Sequence, residues 1–271
     1  MEARTAVDGL PYGLLAVGLW DESQVELQWV DEPVRGPGWA EDVEAWWAEL
    51  KLEEPSLFDA PLATLRGMLP VRDRLLLTFA RSWYRVTAAT HRDVARTMAR
   101  HGVLGLGMGT ACAVGLRVDG GVVLGRRSQR VLGGRGKWHP PAGHWEPDTH
   151  VDAAGHPCPF ASAQIEMLEE LGLASAELVD LTLIGVQLNP ETSKPELHFT
   201  ARVPLSLDLL AERQKAARDA HEMDGLILVG DAQVDAFLAG QLGPPTEIAR
   251  GCVYLHRALG LLDVAESPGR L

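Results

Sequence analysis

The segment Ser162-Ala163-Gln164-Ile165-Glu166-Met167-Leu168-Glu169-Glu170-Leu171-Gly172-Leu173 constrains this chain more than any other stretch. Its spacing predicts a helix over 162–171 with Gly172 as the stop. Positions i, i+3 and i+4 are neighbours on a helix, so Glu166, Glu169 and Glu170 share one face. Ile165, Leu168 and Leu171 fall on the opposite face. Like charges at this spacing repel by roughly 0.2–0.5 kcal/mol per pair in an isolated helix. A solvated acidic face explains such a pattern. So does a hard cation such as Mg2+, which takes carboxylate oxygens and shares them with substrate phosphates.

The residues before this helix have the opposite charge. The formal net charge of the chain is −12, yet no acidic residue lies between Asp119 and Glu146. Arg126, Arg127, Arg130, Arg135 and Lys137 all fall in that interval. Arg and Lys complement phosphate oxygens, and Mg2+ bridges those oxygens to carboxylates. The run Trp138-His139-Pro140-Pro141-Ala142-Gly143-His144-Trp145-Glu146-Pro147 follows, and its Gly143 lets backbone approach a ligand or metal closely.

Around this centre, Ala111–Val118, Asp119-Gly120-Gly121 and Val122–Leu124 predict a β-hairpin. Further strands are expected at 181–186, 197–203 and 226–229, and helices at 207–217 and 231–239. Towards the N-terminus, 42–52 and 90–100 read as helices and 75–79 as a strand. Six of the eight Trp lie at or before position 83, which sets this part apart in texture. Gly105, Gly107 and Gly109 lack the strand before and helix after that a dinucleotide loop requires, and read as a flexible joint. The division expected is an N-terminal α+β domain over 1–107 and a second domain over 108–271.

The acidic balance disfavours wholesale binding to nucleic acid or to a membrane surface. The longest uncharged stretch, His101–Leu116, is too short and Gly-rich to span a bilayer. Met1–Arg4 shows no basic leader region, and Cys112, Cys158 and Cys252 are odd in number without a CxxC, so a cytoplasmic location is expected.

Taken in order, the hairpin, Arg126-Arg127-Ser128, Gly136-Lys137-Trp138, Pro141 to Pro147 and Glu166-x-x-Glu169-Glu170-x-Gly172-Leu173 resemble a Nudix hydrolase. The family pattern is G-x5-E-x7-R-E-U-x-E-E-x-G-U, with U aliphatic. Gly143 matches its first Gly, and Glu166, Met167, Glu169, Glu170, Gly172 and Leu173 match its second half. Thr149 stands where the first Glu belongs and Ile165 where the Arg belongs, with fifteen residues between them instead of seven. In the family these two side chains pair and brace the helix. Losing both leaves no lone charge behind. The inserted segment carries His150, His156 and Cys158, in no standard zinc spacing.

An interrupted box with an N-terminal extension resembles an atypical Nudix subgroup that hydrolyses UDP-glucose and UDP-galactose. Leu57–Pro61, Leu77–Asp93, Asn189–Ser193 and Ala220–Gly225 resemble segments of that subgroup in the same order. The resemblance implies an α/β fold, a Nudix α/β/α sandwich with a mixed sheet and a small N-terminal α+β domain. It implies a nucleotide-sugar substrate, cut to UMP and a sugar 1-phosphate. It implies Mg2+ (or Mn2+) held by Glu166, Glu169, Glu170 and the Ala142 carbonyl. Arg126, Arg127 and Lys137 then clamp phosphates, Trp138 or Trp145 stacks on a base or sugar or serves the core, and Glu222 is a general base or further ligand. Two alternatives stay open: a catalytically silent nucleotide-sugar sensor, and a diphosphatase for ADP-ribose, NADH or a CoA thioester.

Overall fold

The computed structural model describes residues 10–262 apart from Pro33 and Leu132. Met1–Arg4, read above for a leader, lies outside the described residues.

In chain order the elements begin with β1 (Leu14–Trp20), β2 (Val25–Val30) and α1 (Trp39–Glu53). A long hairpin follows, β3 (Pro61–Val71) and β4 (Arg74–Trp83), running into α2 (Tyr84–Arg92) and α3 (Val94–His101). The helix expected over 90–100 is therefore two helices. Asp93 leaves helical geometry at φ −140°, and its carboxylate accepts the Arg96 N–H at 2.9 Å, capping the second helix.

Next come β5 (Ala111–Val118), β6 (Gly121–Arg127), and the short strands β7 (Trp138–His139) and β8 (Ala142–His144). The β5–β6 turn places Asp119 and Gly120 at φ 46° and 79°. Two successive positive φ values match the right-handed strand twist, which is why Asp-Gly suits this position. Then follow α4 (Pro159–Leu171), β9 (Val179–Leu188), β10 (Pro195–Arg202) and α5 (Leu207–Lys215). The chain ends with β11 (Met223–Val229), the short α6 (Val234–Leu238) and α7 (Glu247–Ala258).

The large sheet has the order β1-β9-β10-β5-β6-β11, with β7 on β6 and β8 on β5. It is mixed: β10 runs parallel to β5, with Leu197 beside Cys112, and its other pairings are antiparallel. Successive residues of β5 and β6 point to opposite faces. One face buries Cys112, Val114, Leu116 and Val123 with Ala163, Met167 and Leu171 of α4. The other buries Val122 and Leu124 with Cys252 and Val253 of α7. The result is an α/β/α sandwich.

The second sheet has three strands in the order β2-β4-β3. Its Leu75, Leu77 and Phe79 belong to the same buried cluster as the α4 face. Strand β1, which precedes position 107, pairs with β9 in the large sheet rather than with the small one. The Gly102–Gly109 stretch also differs from expectation. It is packed: Gly107 and Gly109 donate their N–H groups to the Thr90 and Thr87 hydroxyls at 2.8 and 3.1 Å. A Cβ at Gly107 would sit 2.7 Å from the Thr87 nitrogen, so these glycines allow close approach of backbones and not a loose joint.

Candidate active site

Helix α4 starts with Pro159, whose ring suits the first helical turn, and stops at Gly172 with φ 68°. Its buried stripe is Phe160, Ala163, Met167 and Leu171, at helical spacing, with Glu166 and Glu170 alongside. The acidic face is therefore largely turned inward. Leu168, on the face opposite the glutamates, is 52% exposed. The reason is that the carboxylates, not Leu168, face the β8 backbone.

That contact is close. A Cβ on Gly143 would lie 2.0 Å from Glu166 Oε1, so only glycine lets the carboxylate rest on this backbone. Glu170 accepts a long hydrogen bond from the Ala142 N–H at 3.4 Å, while its Oε2 is buried without a partner. Burial first, then the charges of Glu169, Glu222 and Asp219, pushes Glu166 up to about 8. Burial, then Glu166 and Glu222, likewise pushes Glu170 well above the usual carboxylate range, against the opposing Ala142 N–H and Arg127. Glu169 is half-buried and paired with Arg218 at 2.5 Å. Its carboxyl is raised by burial, and Arg218 acts in the opposite direction.

Arg127, His139, Pro140, Glu170, Glu222 and Met223 line a small cleft beside this helix. Glu222 closes a 3-10 turn over Ala220–Glu222, and its carbonyl accepts the Ser128 N–H at 2.8 Å, which fastens the turn to the end of β6. Arg127 Nε donates to the Gly133 carbonyl at 2.7 Å. The Arg127 N–H donates to the Lys137 carbonyl at 2.9 Å, so Lys137 lies directly across the loop. Arg126 is the preceding residue of the strand and faces the other way, exposed, with Nε 3.4 Å from the Gly136 carbonyl. The structure thus brings Arg127 to Glu170 and Glu222 and does not bring Arg126.

The rings of Trp138 and Trp145 are both used in packing. Trp138 Nε1 donates to the Leu242 carbonyl at 2.8 Å, and its ring packs on the α7-side cluster. Trp145 is fully buried with Phe79 at 4.8 Å, edge to face. In the inserted loop, His150 Nδ1 lies 2.9 Å from the Ser162 hydroxyl, while Cys158 Sγ donates to Glu22 at 3.3 Å and His156 sits 3.5 Å from Asp152. The three therefore do not converge. Burial holds His150 down to about 4, so its neutral imidazole ties the loop to the first turn of α4. Thr149 is exposed and donates to Glu146 at 3.3 Å.

Among the described residues, no group of three or more His, Cys, Asp or Glu side chains is arranged to hold a metal ion as it stands. Glu169 turns instead to Arg218. Its partner escaped the sequence reading, although Arg218-Asp219 stands just ahead of the Glu222 segment. The reading also missed Glu196, buried on β10 with Lys194 Nζ at 3.1 Å, and the buried His198. The signal was available in Pro195-Glu196-Leu197-His198-Phe199, where polar residues alternate with apolar ones in a strand buried on both faces.

No family model matches the chain, and no curated protein matches it. Among solved structures it is similar to a NUDIX hydrolase from Nitrosomonas europaea, at 20% identity over 59% of this chain and 99% of that one, with a TM-score of 0.39. It is similar to a pyrophosphohydrolase from Bacillus subtilis, at 15% identity over 57% and 85%, with a TM-score of 0.36. A Nudix hydrolase from M. smegmatis is similar at 16% identity over 59% and 89%, also with a TM-score of 0.36. No helix among the described residues is long and apolar enough to cross a membrane.

Proposed function

We propose that the chain is a Nudix-type hydrolase of nucleoside diphosphate compounds, acting on a UDP-sugar to release UMP and a sugar 1-phosphate. The observation that carries this reading is the pair Glu166 and Glu170. Both carboxyls are buried and raised, chiefly by burial, Glu170 in part by the charge of Glu166, and one buried oxygen of Glu170 has no partner. Such a pair is unfavourable alone and becomes favourable on binding a hard cation.

The donor set fits Mg2+ or Mn2+. Glu166 and Glu170 would hold it, joined by Glu169 once it leaves Arg218 and by the Ala142 carbonyl. Such an ion neutralises diphosphate charge and lowers the pKa of a bound water. Arg127, with a charge that already acts on Glu170, holds a phosphate oxygen. Lys137 adds a second positive charge from the adjoining loop. Glu222 lines the same cleft and takes the proton of the attacking water. The water oxygen attacks one phosphorus in line, and the bridging oxygen leaves with the other phosphate.

The test is a panel of UDP-sugars, ADP-ribose, NADH and CoA compounds incubated with protein and Mg2+, assayed for the released monophosphate. UDP-sugar turnover lost in Glu170→Gln is expected. Turnover greatest on another compound keeps the chemistry and replaces the substrate. Binding of a UDP-sugar without turnover of any compound overturns the hydrolase reading in favour of a sensor.

A further inference from the structure

A second polar surface lies on the large sheet, where Glu196 of β10 stands beside Ala111 of β5 and Ala111 beside His144 of β8, so that Glu196 and His144 share one face. The charge of Arg127 acts on both Glu170 and Glu196. Glu196 Oε1 lies 3.1 Å from Lys194 Nζ. The Lys194 charge in turn acts on His139 of β7, His144 of β8 and His91 of α2. Helix α2 is held against β8 here. The Tyr84 ring meets His144 at 5.6 Å, edge to face, and a Cβ on Gly109 would lie 2.8 Å from Thr87 Oγ1 and 3.4 Å from His144 Cδ2.

Three polar atoms on this surface are buried without a partner: His91 Nε2, His144 Nε2 and Glu196 Oε2. Glu196 is only 3% exposed. A buried polar group left unpaired costs about 1–3 kcal/mol, and three along one wall call for a ligand that brings hydrogen bonds. The chemistry of the wall selects that ligand. Lys194 and Glu196 offset each other in charge. Burial holds His91 down to about 4 against its hydrogen bond to the Gly107 backbone, so the ring is neutral and Nε2 is the nitrogen left for a ligand. A carboxylate oxygen accepts hydroxyl groups. Trp138 and Trp145 are both used in packing.

We infer that this surface, with His91 supplied by α2, receives the hydroxylated ring of a sugar attached to the diphosphate. The inference rests on the diphosphatase reading for its placement beside the reacting phosphates. It makes the N-terminal part of the chain a source of specificity, because His91 stands on a helix outside the large sheet.

The test compares a UDP-hexose with the methyl ester of UDP, which keeps the diphosphate bond and lacks the ring. The ratio of kcat/KM values, hexose to methyl, is measured for the wild type, His91→Leu and Glu196→Gln. Binding of hexose 1-phosphate is followed by calorimetry on the same proteins. The ratio is expected to fall about tenfold or more in each variant through KM, with hexose 1-phosphate binding weakened about tenfold. Turnover with a ratio and an affinity unchanged in both variants overturns the inference and leaves the diphosphatase reading intact. No turnover of either compound, with hexose 1-phosphate binding lost in His91→Leu, overturns the diphosphatase reading and supports the sugar site.

Discussion

The two faces of the large sheet bury polar groups in opposite ways. On the α7 side the network is nearly closed. His256 Nδ1 lies 2.8 Å from the Cys252 carbonyl, and its Nε2 3.0 Å from the Thr200 hydroxyl. Gln187 Nε2 donates to the carbonyls of Tyr12 and Glu247 at 2.6 and 3.1 Å, and its Oε1 meets His198 Nε2 at 2.6 Å. Of these groups, His198 Nδ1 alone lacks a partner. On the α4 side, the charge of Glu166 raises Glu170, and Glu170 Oε2 is unpaired. A closed network specifies packing and stabilises the fold. An open one holds free energy that only a ligand can recover.

Substitutions should separate the two faces sharply. The largest effect is expected at Glu170. Glu170→Gln removes a cation ligand and should lower kcat/KM about 100-fold or more, as measured by release of monophosphate. The same change removes a buried charge, so the melting temperature without divalent ions should hold or rise. His256→Ala should do the reverse. It opens a cavity and removes the ring's hydrogen bonds to Thr200, Gly115 and Cys252, costing about 2–4 kcal/mol in denaturant titrations with kcat/KM unchanged.

The pH dependence should also differ in sign. Burial holds His256 down to about 4 and His198 to about 3, so the unfolded chain binds more protons at these sites below pH 6.5. Stability from that face is present above this pH and is lost as pH falls through 6.5 towards 4. Glu166 is raised from 4.5 to about 8, so its contribution is fully present below pH 4.5 and is lost as pH rises through 8. Melting scans without divalent ions should therefore peak near the middle of this range. Added Mg2+ should raise the melting temperature by a few degrees at pH 8 and by less at pH 5. This is the smallest of the expected effects, and equal shifts at the two pH values would contradict it.

The same contrast shows what the sequence made legible. Local patterns were enough for the β5–β6 hairpin with its Asp119-Gly120 turn, and for α4 with its stop at Gly172. Charge alone singled out the glutamates and the basic run from Arg126 to Lys137. Contacts between distant segments were not legible. β1 pairs with β9 across a long separation, and its seven residues carry no strict alternation because both faces are covered. Helix α7 went unseen because its buried positions include Gly251, Cys252 and His256, which weaken an apolar stripe. Arg126 and Arg127 could not be told apart by composition. The strand pleat decides between them. Trp138 could not be resolved between stacking and packing until Leu242 was seen to accept its N–H.

The most direct measurement of the central claim is a Mn2+ titration followed by electron paramagnetic resonance, on the wild type and on Glu166→Gln and Glu170→Gln. Saturable binding by the wild type, weakened about tenfold or more in each variant, is the predicted result. Equal binding by all three proteins, or none by the wild type, would contradict the assignment of these glutamates as cation ligands.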